Sequence, residues 1–429
     1  MNRRELLALA GALGFAPSLV PNLAQAADAD SKTLARDAWL FALPWVEMAT
    51  TRARVLKRGA RVNHIYHRRK LSDHTDRSVT TPNNDTLYSL AWIDLTDGPA
   101  TLTIPPSGKR YVSAAILDMF TDNDAVLGTR VNGGGGGTFT IVGPGQDLAG
   151  ERVVRVLTPH AWILIRTLVD GPEDLAAARK VQSGFKVTGP KAAKPPAYLE
   201  RDAAPADYFA NVRALLAADP PRPVDAPSVA RCAGLLTEGP FDPVAREAGV
   251  AEARRLVKLA SARVAFQDGW SYPKPNLGFH GVDYGYRAVV ALQGLGALPV
   301  AEAMYMKAAG DDDTGLHNGD GLYRLTLPAK LPLDGFWSLS MYEAMPDGQY
   351  FFTDNAIDRY AISDRTPGLT WNPDGTLDLW ISRTDPGGAR SANWLPAPKS
   401  GPYSMTLRTY LPRAELLESR FRFAPIVRV

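Results

Sequence analysis

A change of hydrophobic period, made twice, does most to limit how this chain can fold. Between 86 and 169 the residues alternate over short runs. Leu102 and Ile104 oppose Thr101 and Thr103, Phe139 and Ile141 flank Thr140, and Trp162, Leu164, Arg166 and Leu168 oppose Ala161, Ile163 and Ile165. Period two is the signature of strand. Pro105-Pro106-Ser107-Gly108, Asn132-Gly133 and Gly143-Pro144-Gly145 separate the runs as turns. From 172 to 309 the pattern is helical, with Ala, Leu and Arg dominating 206–217, 227–236, 246–266 and 286–308. After Asp320 alternation returns in Tyr323, Leu325 and Leu327, in Leu377, Leu379 and Ile381, and in Met405 and Leu407 against Thr406 and Arg408. Residues 32–58, with Leu34, Trp39, Leu40, Leu43 and Val46 near helical spacing, form a leading helix. The fold class that follows is mainly β with helical segments: two β-sandwiches joined and flanked by helices. The expected divisions are a leader at 1–26, a helical segment at 27–75, a first β domain at 76–170, a helical segment at 171–310 and a second β domain at 311–429.

At 429 residues the chain exceeds one ordinary core, and two or three domains are expected. Its 48 basic and 45 acidic side chains are mixed along the sequence, with a net charge of +3. A nucleic acid or a membrane surface calls for clustered basic charge, so neither is an expected partner. Arg3-Arg4, the apolar stretch Leu6–Val20 and Ala24-Gln25-Ala26 make an export signal with a small-residue cleavage site. Its order is similar to a twin-arginine signal, with the general secretory route as the alternative. The expected location is periplasmic or secreted, and no later apolar run reaches the ~18 residues of a membrane span. Cys232, the single cysteine, lies in a helical context and reads as a buried small hydrophobe.

Two polar-aromatic blocks could carry chemistry. In the first, Pro82 and Asn83-Asn84-Asp85 form a turn at the mouth of a strand. Tyr88, Leu90, Trp92 and Asp94 share one face of that strand, which is expected to line the first sandwich. Asp118 closes the apolar run Tyr111–Leu117, and Arg130 or Arg166 could neutralise it. Asp85 and Asp118 are the candidate catalytic pair for acid/base work, which needs two carboxylates on one cavity. The second block supplies the strand Phe336–Tyr342, then Arg359, the extended loop Asn393–Pro398, and Arg408 with Tyr410. Asn83, Asn84, Tyr88, Arg130, Trp337, Tyr342, Arg359, Asn393, Trp394 and Arg408 are the candidate substrate-binding residues, with Trp337 and Trp394 stacking on a polar ring. The plainer reading of these blocks is a self-capping turn and a tryptophan that pins a loop.

His64, His67, His74, His160, His280 and His317 do not follow a zinc-type spacing, and no metal or cofactor is expected. Phosphate loop, dinucleotide fingerprint and nucleophile elbow are absent from the sequence, which leaves acid/base hydrolysis, lyase chemistry or binding.

Thr81–Ser89, Trp92–Leu95, Tyr111, Asp118, Gly128 and Arg130 resemble the first half of an exported bacterial family known as a pair of domains of unknown function. Phe336-Trp337-Ser338, Met341-Tyr342, Asn355, Arg359-Tyr360, Asn393–Pro398, Arg408 and Tyr410 resemble its second half. The resemblance implies two jelly-roll sandwiches, likened to large-virus capsid proteins, and no established catalytic residues. The functional expectation is an exported hydrolase or lyase acting on a small polar or glycosidic compound. The alternative is a non-catalytic binding or self-assembling protein, with a homo-oligomer among its partners.

Overall fold

Residues 30–429 are described by a computed structural model, apart from 193, 194, 196, 197, 238, 263, 312–314 and 347. The export signal expected at 1–26 lies outside the described residues.

Helix α1 (Ser31–Lys57) begins at Asp30, whose side chain accepts a 2.7 Å hydrogen bond from the Thr33 N–H. Its apolar residues encircle it rather than forming one stripe, so it is enclosed on all sides. Helices α2 (Pro205–Ala218), α3 (Pro243–Ala262) and α4 (Tyr284–Gln293) pack around it. Trp39 stacks on Tyr208 at 5.8 Å and Trp45 on Phe120 at 3.7 Å.

The first sandwich uses β1 (Tyr66–His67), β2 (Thr86–Asp94), β3 (Ala100–Ile104), β4 (Val112–Asp118), β5 (Asn123–Gly128), β6 (Gly137–Val142), β7 (Val153–Arg155), β8 (His160–Leu168) and β9 (Lys186–Thr188). One sheet runs β1-β2-β8-β4-β5 and the other β7-β6-β3-β9. Ala91, Ile93, Ala114, Ile116, Ile163 and Ile165 meet Leu102, Ile104, Phe139 and Ile141 between the sheets. Tyr88, Leu90 and Trp92 do not line that interior. Their face points outward, where Leu90, Trp92, Trp162 and Leu164 form one apolar cluster with α1. The central strands β2, β8 and β4 are covered on both faces, which the alternation alone does not reveal. Trp92 and Trp162 lie opposite each other in register and stack at 5.3 Å.

The second sandwich uses β10 (Trp270–Ser271), β11 (Ala303–Ala308), β12 (Tyr323–Leu327), β13 (Trp337–Ala344), β14 (Tyr350–Phe351), β15 (Ala361–Ser363), β16 (Leu377–Ser382), β17 (Trp394–Pro396), β18 (Tyr403–Tyr410) and β19 (Val427–Arg428). Its sheets are β10-β11-β18-β13-β14, with β15 also on β13, and β17-β16-β12-β19. Met304, Met306, Leu325, Leu339, Leu379 and Leu407 fill the space between.

Two expectations are corrected. The helical run 286–308 ends at Gln293, because Gly294 follows it and Gly296 takes φ +81. Residues 303–308 alternate Met304, Met306 and Ala308 inward with Tyr305 and Lys307 outward, and 303–307 pair with β18. The β units also exceed the bounds 76–170 and 311–429, since β1, β9, β10 and β11 belong to the sheets. The family of mainly β sandwiches with helices stands as read. Among the described residues no helix is long and apolar enough to cross a membrane.

Candidate functional site

Alternation along β13 sends Trp337, Leu339 and Met341 into the second core and leaves Ser338, Ser340 and Tyr342 on the outer face. Register sets Arg408 of β18 opposite Ser338, and Tyr305 of β11 opposite Arg408. This polar face meets the Thr81–Asp85 block of the first domain. Tyr342 Oη donates to the Pro82 carbonyl at 2.7 Å, and Arg408 Nη2 donates to the Thr81 carbonyl at 3.0 Å. Asn83 Nδ2 donates to Tyr410 Oη at 2.7 Å. Ser338 Oγ donates to Asp85 Oδ2 at 2.5 Å, and Arg365 Nη2 pairs with Asp85 Oδ1 at 3.0 Å. Thr81 holds φ at +47, a costly conformation for a β-branched residue, while its N–H donates to the Tyr350 carbonyl at 2.8 Å.

The turn caps itself through Asn83, whose Oδ1 accepts from the Asp85 N–H at 2.6 Å. Asp85 is thereby free to serve the other domain. At one end of the seam Glu302 accepts from Tyr111 Oη at 2.8 Å and from Arg130 Nε at 2.6 Å. Tyr111, Phe336 and Tyr410 pack as an aromatic cluster, with Phe336 and Tyr410 4.0 Å apart. Burial pushes Tyr111 and Tyr410 well above the ordinary phenol value, with the charges of Glu302 and Asp85 adding to it respectively. Both therefore stay protonated near neutral pH.

The seam gathers Asn83, Asp85, Tyr88 and Arg130 from one domain with Tyr342 and Arg408 from the other. Asn84 sits half-buried in the same turn. It does not gather the rest. Trp337 belongs to the second core. Asn393 holds the Thr370 and Asp378 backbones, Trp394 Nε1 donates to the Ser382 carbonyl at 3.0 Å, and Arg359 donates to the carbonyls of Ala392 and Trp394. These three clamp a loop within the second domain.

Asp118 is also elsewhere. On β8, Leu168 lies level with Thr86 and Ala161 lies level with Asp118. Seven strand residues separate those levels, roughly 23 Å at ~3.3 Å each. Two hydrolytic carboxylates need about 5–10 Å, so Asp85 and Asp118 do not form such a pair. Neither Arg130 nor Arg166 partners Asp118. Instead, Asp118, Asp122 and Asp124 occupy one turn against Arg222 and Arg287. Asp122 accepts from His280 Nδ1 at 3.0 Å, from Arg287 Nη2 at 2.8 Å and from Arg222. Burial, then the neighbouring Asp124 and Asp122, push Asp118 well above the usual carboxylate range. Burial likewise lifts Asp124 to about 7. Burial would raise Asp122 too, but the His280 hydrogen bonds and the Arg287 charge hold it low.

Among the described residues no group of three His, Cys, Asp or Glu could hold a metal ion. A cavity of about 450 Å³ opens at the edge of the first sandwich, lined by residues including Arg61, His64, Tyr66 and Lys186, with no carboxylate among its lining residues. Cys232 is buried, its thiol pushed up to about 12 by burial.

Sequence reading missed Arg166, Glu302, Tyr305, Ser338 and Arg365 as members of the seam. Arg166 carried a signal: it is the lone charge in the apolar run Ala161–Leu168. Arg365 carried none, since Asp85, the carboxylate it reaches in the first domain, lies 280 residues away. The seam can hold and orient a polar group between hydroxyls, phenols and guanidiniums. Its two carboxylates are both engaged, Asp85 by Ser338 and Arg365 and Glu302 by Tyr111 and Arg130.

Residues 62–189 match a family described as "Protein of unknown function (DUF1254)" and residues 302–414 match "Protein of unknown function (DUF1214)". The solved VPA0106 protein from Vibrio parahaemolyticus is similar at 19% identity and a TM-score of 0.69, over 93% of this chain and 100% of that one. An uncharacterized protein from Burkholderia cenocepacia is similar at 14% identity and a TM-score of 0.46, over 93% of this chain and 87% of that one. No curated protein matches the sequence.

Proposed function

We propose, for a chain that carries both domains of a paired family of unknown function, that it binds a small polar compound at the seam between its two sandwiches. The observation that carries this reading is convergence. Asn83, Asp85 and Tyr88 meet Tyr342 and Arg408 across a buried junction rich in phenols and guanidiniums, with Arg130 pairing Glu302 at its exposed end. A junction needed only for cohesion is served better by apolar packing, because buried ions are poor stabilisers. Binding is favoured over two-carboxylate hydrolysis, since Asp118 lies far from the seam and its other carboxylate, Glu302, is held by Arg130 and Tyr111. The Arg3-Arg4 leader supports a place for this activity outside the cytoplasm.

The test is a thermal-shift and affinity mass-spectrometry screen of residues 27–429 against pooled small polar metabolites and short glycans. A compound that raises the melting temperature of wild type but not of Arg408→Met, while still acting on Arg359→Met, supports the seam. A compound that acts equally on all three proteins places the site elsewhere.

A further inference from the structure

Among the described residues Arg166 has no carboxylate within ion-pair distance, although it is a buried charge. It lies on the central strand β8, flanked in register by Tyr88 of β2 and Ser113 of β4, and is 5% exposed. Nη2 donates to the Gly296 carbonyl at 2.8 Å, whereas Nη1 is buried with no partner. The guanidinium stands 5.4 Å from the centre of the Tyr88 ring. The phenols of Tyr88, Tyr305, Tyr410 and Tyr111 lie close enough to act on its charge, and no carboxylate is among these neighbours. The two carboxylates of the seam are committed elsewhere: Asp85 to Arg365 and Ser338, Glu302 to Arg130 and Tyr111.

The surrounding hydroxyls are donors in waiting. Tyr410 Oη accepts from Asn83, and Tyr305 Oη accepts from the Leu298 N–H at 3.4 Å. Neither phenolic proton has an acceptor among the hydrogen bonds of the seam. Burial raises both phenols above their ordinary value, so both keep their protons near neutral pH. One guanidinium N–H and two phenolic O–H groups thus stand together without an acceptor. A water molecule can satisfy an N–H, but it cannot neutralise a desolvated cation. An oxyanion does both, through charge-assisted hydrogen bonds.

We propose that Arg166, with the hydroxyls of Tyr305 and Tyr410, forms an oxyanion site, and that the compound bound at the seam presents a carboxylate to it. The proposal rests on the seam reading above and adds the chemical class of the ligand. Inorganic phosphate shares the relevant chemistry, so the experiment separates the two sources.

Residues 27–429 are titrated with sodium acetate, sodium succinate or sodium phosphate against sodium chloride at matched ionic strength, following melting temperature and tyrosine–tryptophan fluorescence. The expected result is a saturable response to a carboxylate beyond the chloride control. Arg166→Gln weakens it at least tenfold and Tyr305→Phe several-fold. Arg166→Lys, which keeps the charge, retains part of it. Should Arg166→Gln fail to fold, Tyr305→Phe and Arg166→Lys decide the matter by the same titration. A response to phosphate alone overturns the carboxylate assignment and keeps the oxyanion site. Absence of any saturable response, or one unchanged in Arg166→Gln or in Tyr305→Phe, overturns the site itself. A neutral metabolite that binds wild type and Arg166→Gln equally, but not Arg408→Met, sinks this inference and leaves the seam reading standing.

Discussion

Two buried charged networks, built from similar residues, err in opposite directions. At the seam, Arg166 and Arg408 have no carboxylate within ion-pair distance among the described residues, while Asp85 is engaged by Arg365. In the 118–124 turn, Asp118, Asp122 and Asp124 face Arg222 and Arg287, and Asp225 adds a fourth acid, paired with Arg222 at 3.1 Å. The turn can correct its own imbalance, because a carboxylate that takes up a proton becomes neutral. The seam cannot, because arginine does not lose its proton in proteins. An excess of acid therefore resolves into shared protons, whereas an excess of arginine calls for a partner from outside.

The largest effect that sharpens this contrast is expected in the turn. Arg287→Met strips a fully buried cation from Asp122 and should cost about 3–5 kcal/mol by urea denaturation. A cost under about 1 kcal/mol would mean that the acids carry more protons than the geometry requires. In the seam, Asp85→Ala takes one of two carboxylates from the half-buried Arg365, which keeps Asp364 at 2.6 Å, and leaves buried Ser338 without its acceptor, so it should cost about 2–3 kcal/mol. That exceeds what a turn cap alone contributes, and a loss near 0.5 kcal/mol would return Asp85 to that lesser role.

Next comes pH. The folded Asp124 titrates near 7, above the ordinary carboxylate value of 3.8, so the folded state holds more protons than the unfolded state between those limits. Stability should accordingly fall as pH rises from about 4 to about 7 and level off above it. Asp124→Asn should flatten that slope and raise stability at pH 8 by about 1–2 kcal/mol, a figure reduced for its coupling to Asp118. A variant as steep as wild type would assign the proton to another acid of the turn. The smallest effect is expected outside both networks. Arg413 pairs with Asp334 at 2.6 Å on the surface, and Arg413→Ala should shift the unfolding midpoint by no more than ~0–1 kcal/mol. A larger loss would blur the line between buried and exposed pairs on which the comparison stands.

Legibility followed the range of the interactions. The strand Thr86–Asp94 and its two faces were readable, because alternation is a local property of the backbone. Which face lined the sandwich was not, since both Ala91 and Trp92 are apolar and a helix from the start of the chain covers the latter. Asn83 as a turn cap was readable within three residues. The union of Asp85 with Ser338 and Arg365 was not, because nothing near 85 in sequence indicates what lies near 338. The run 286–308 misled because Ala, Leu and Met suit a helix, while five of its last six residues, Ala303 to Lys307, pair with β18.

By itself the sequence determined two β units between helical segments and the polar-aromatic blocks that flank their strands. These rest on period, composition and turn chemistry, each expressed within a few residues. Only the tertiary structure decided that Asp85 and Asp118 stand at opposite ends of a sheet, that Trp337 and Trp394 are packing residues, and that Arg166 lies among phenols, with no carboxylate of the described residues within ion-pair distance. Those outcomes depend on strand register and on which sheet faces which. Both are set by the packing of the whole chain, since a carboxylate or a guanidinium acquires its partners only when distant segments are brought together.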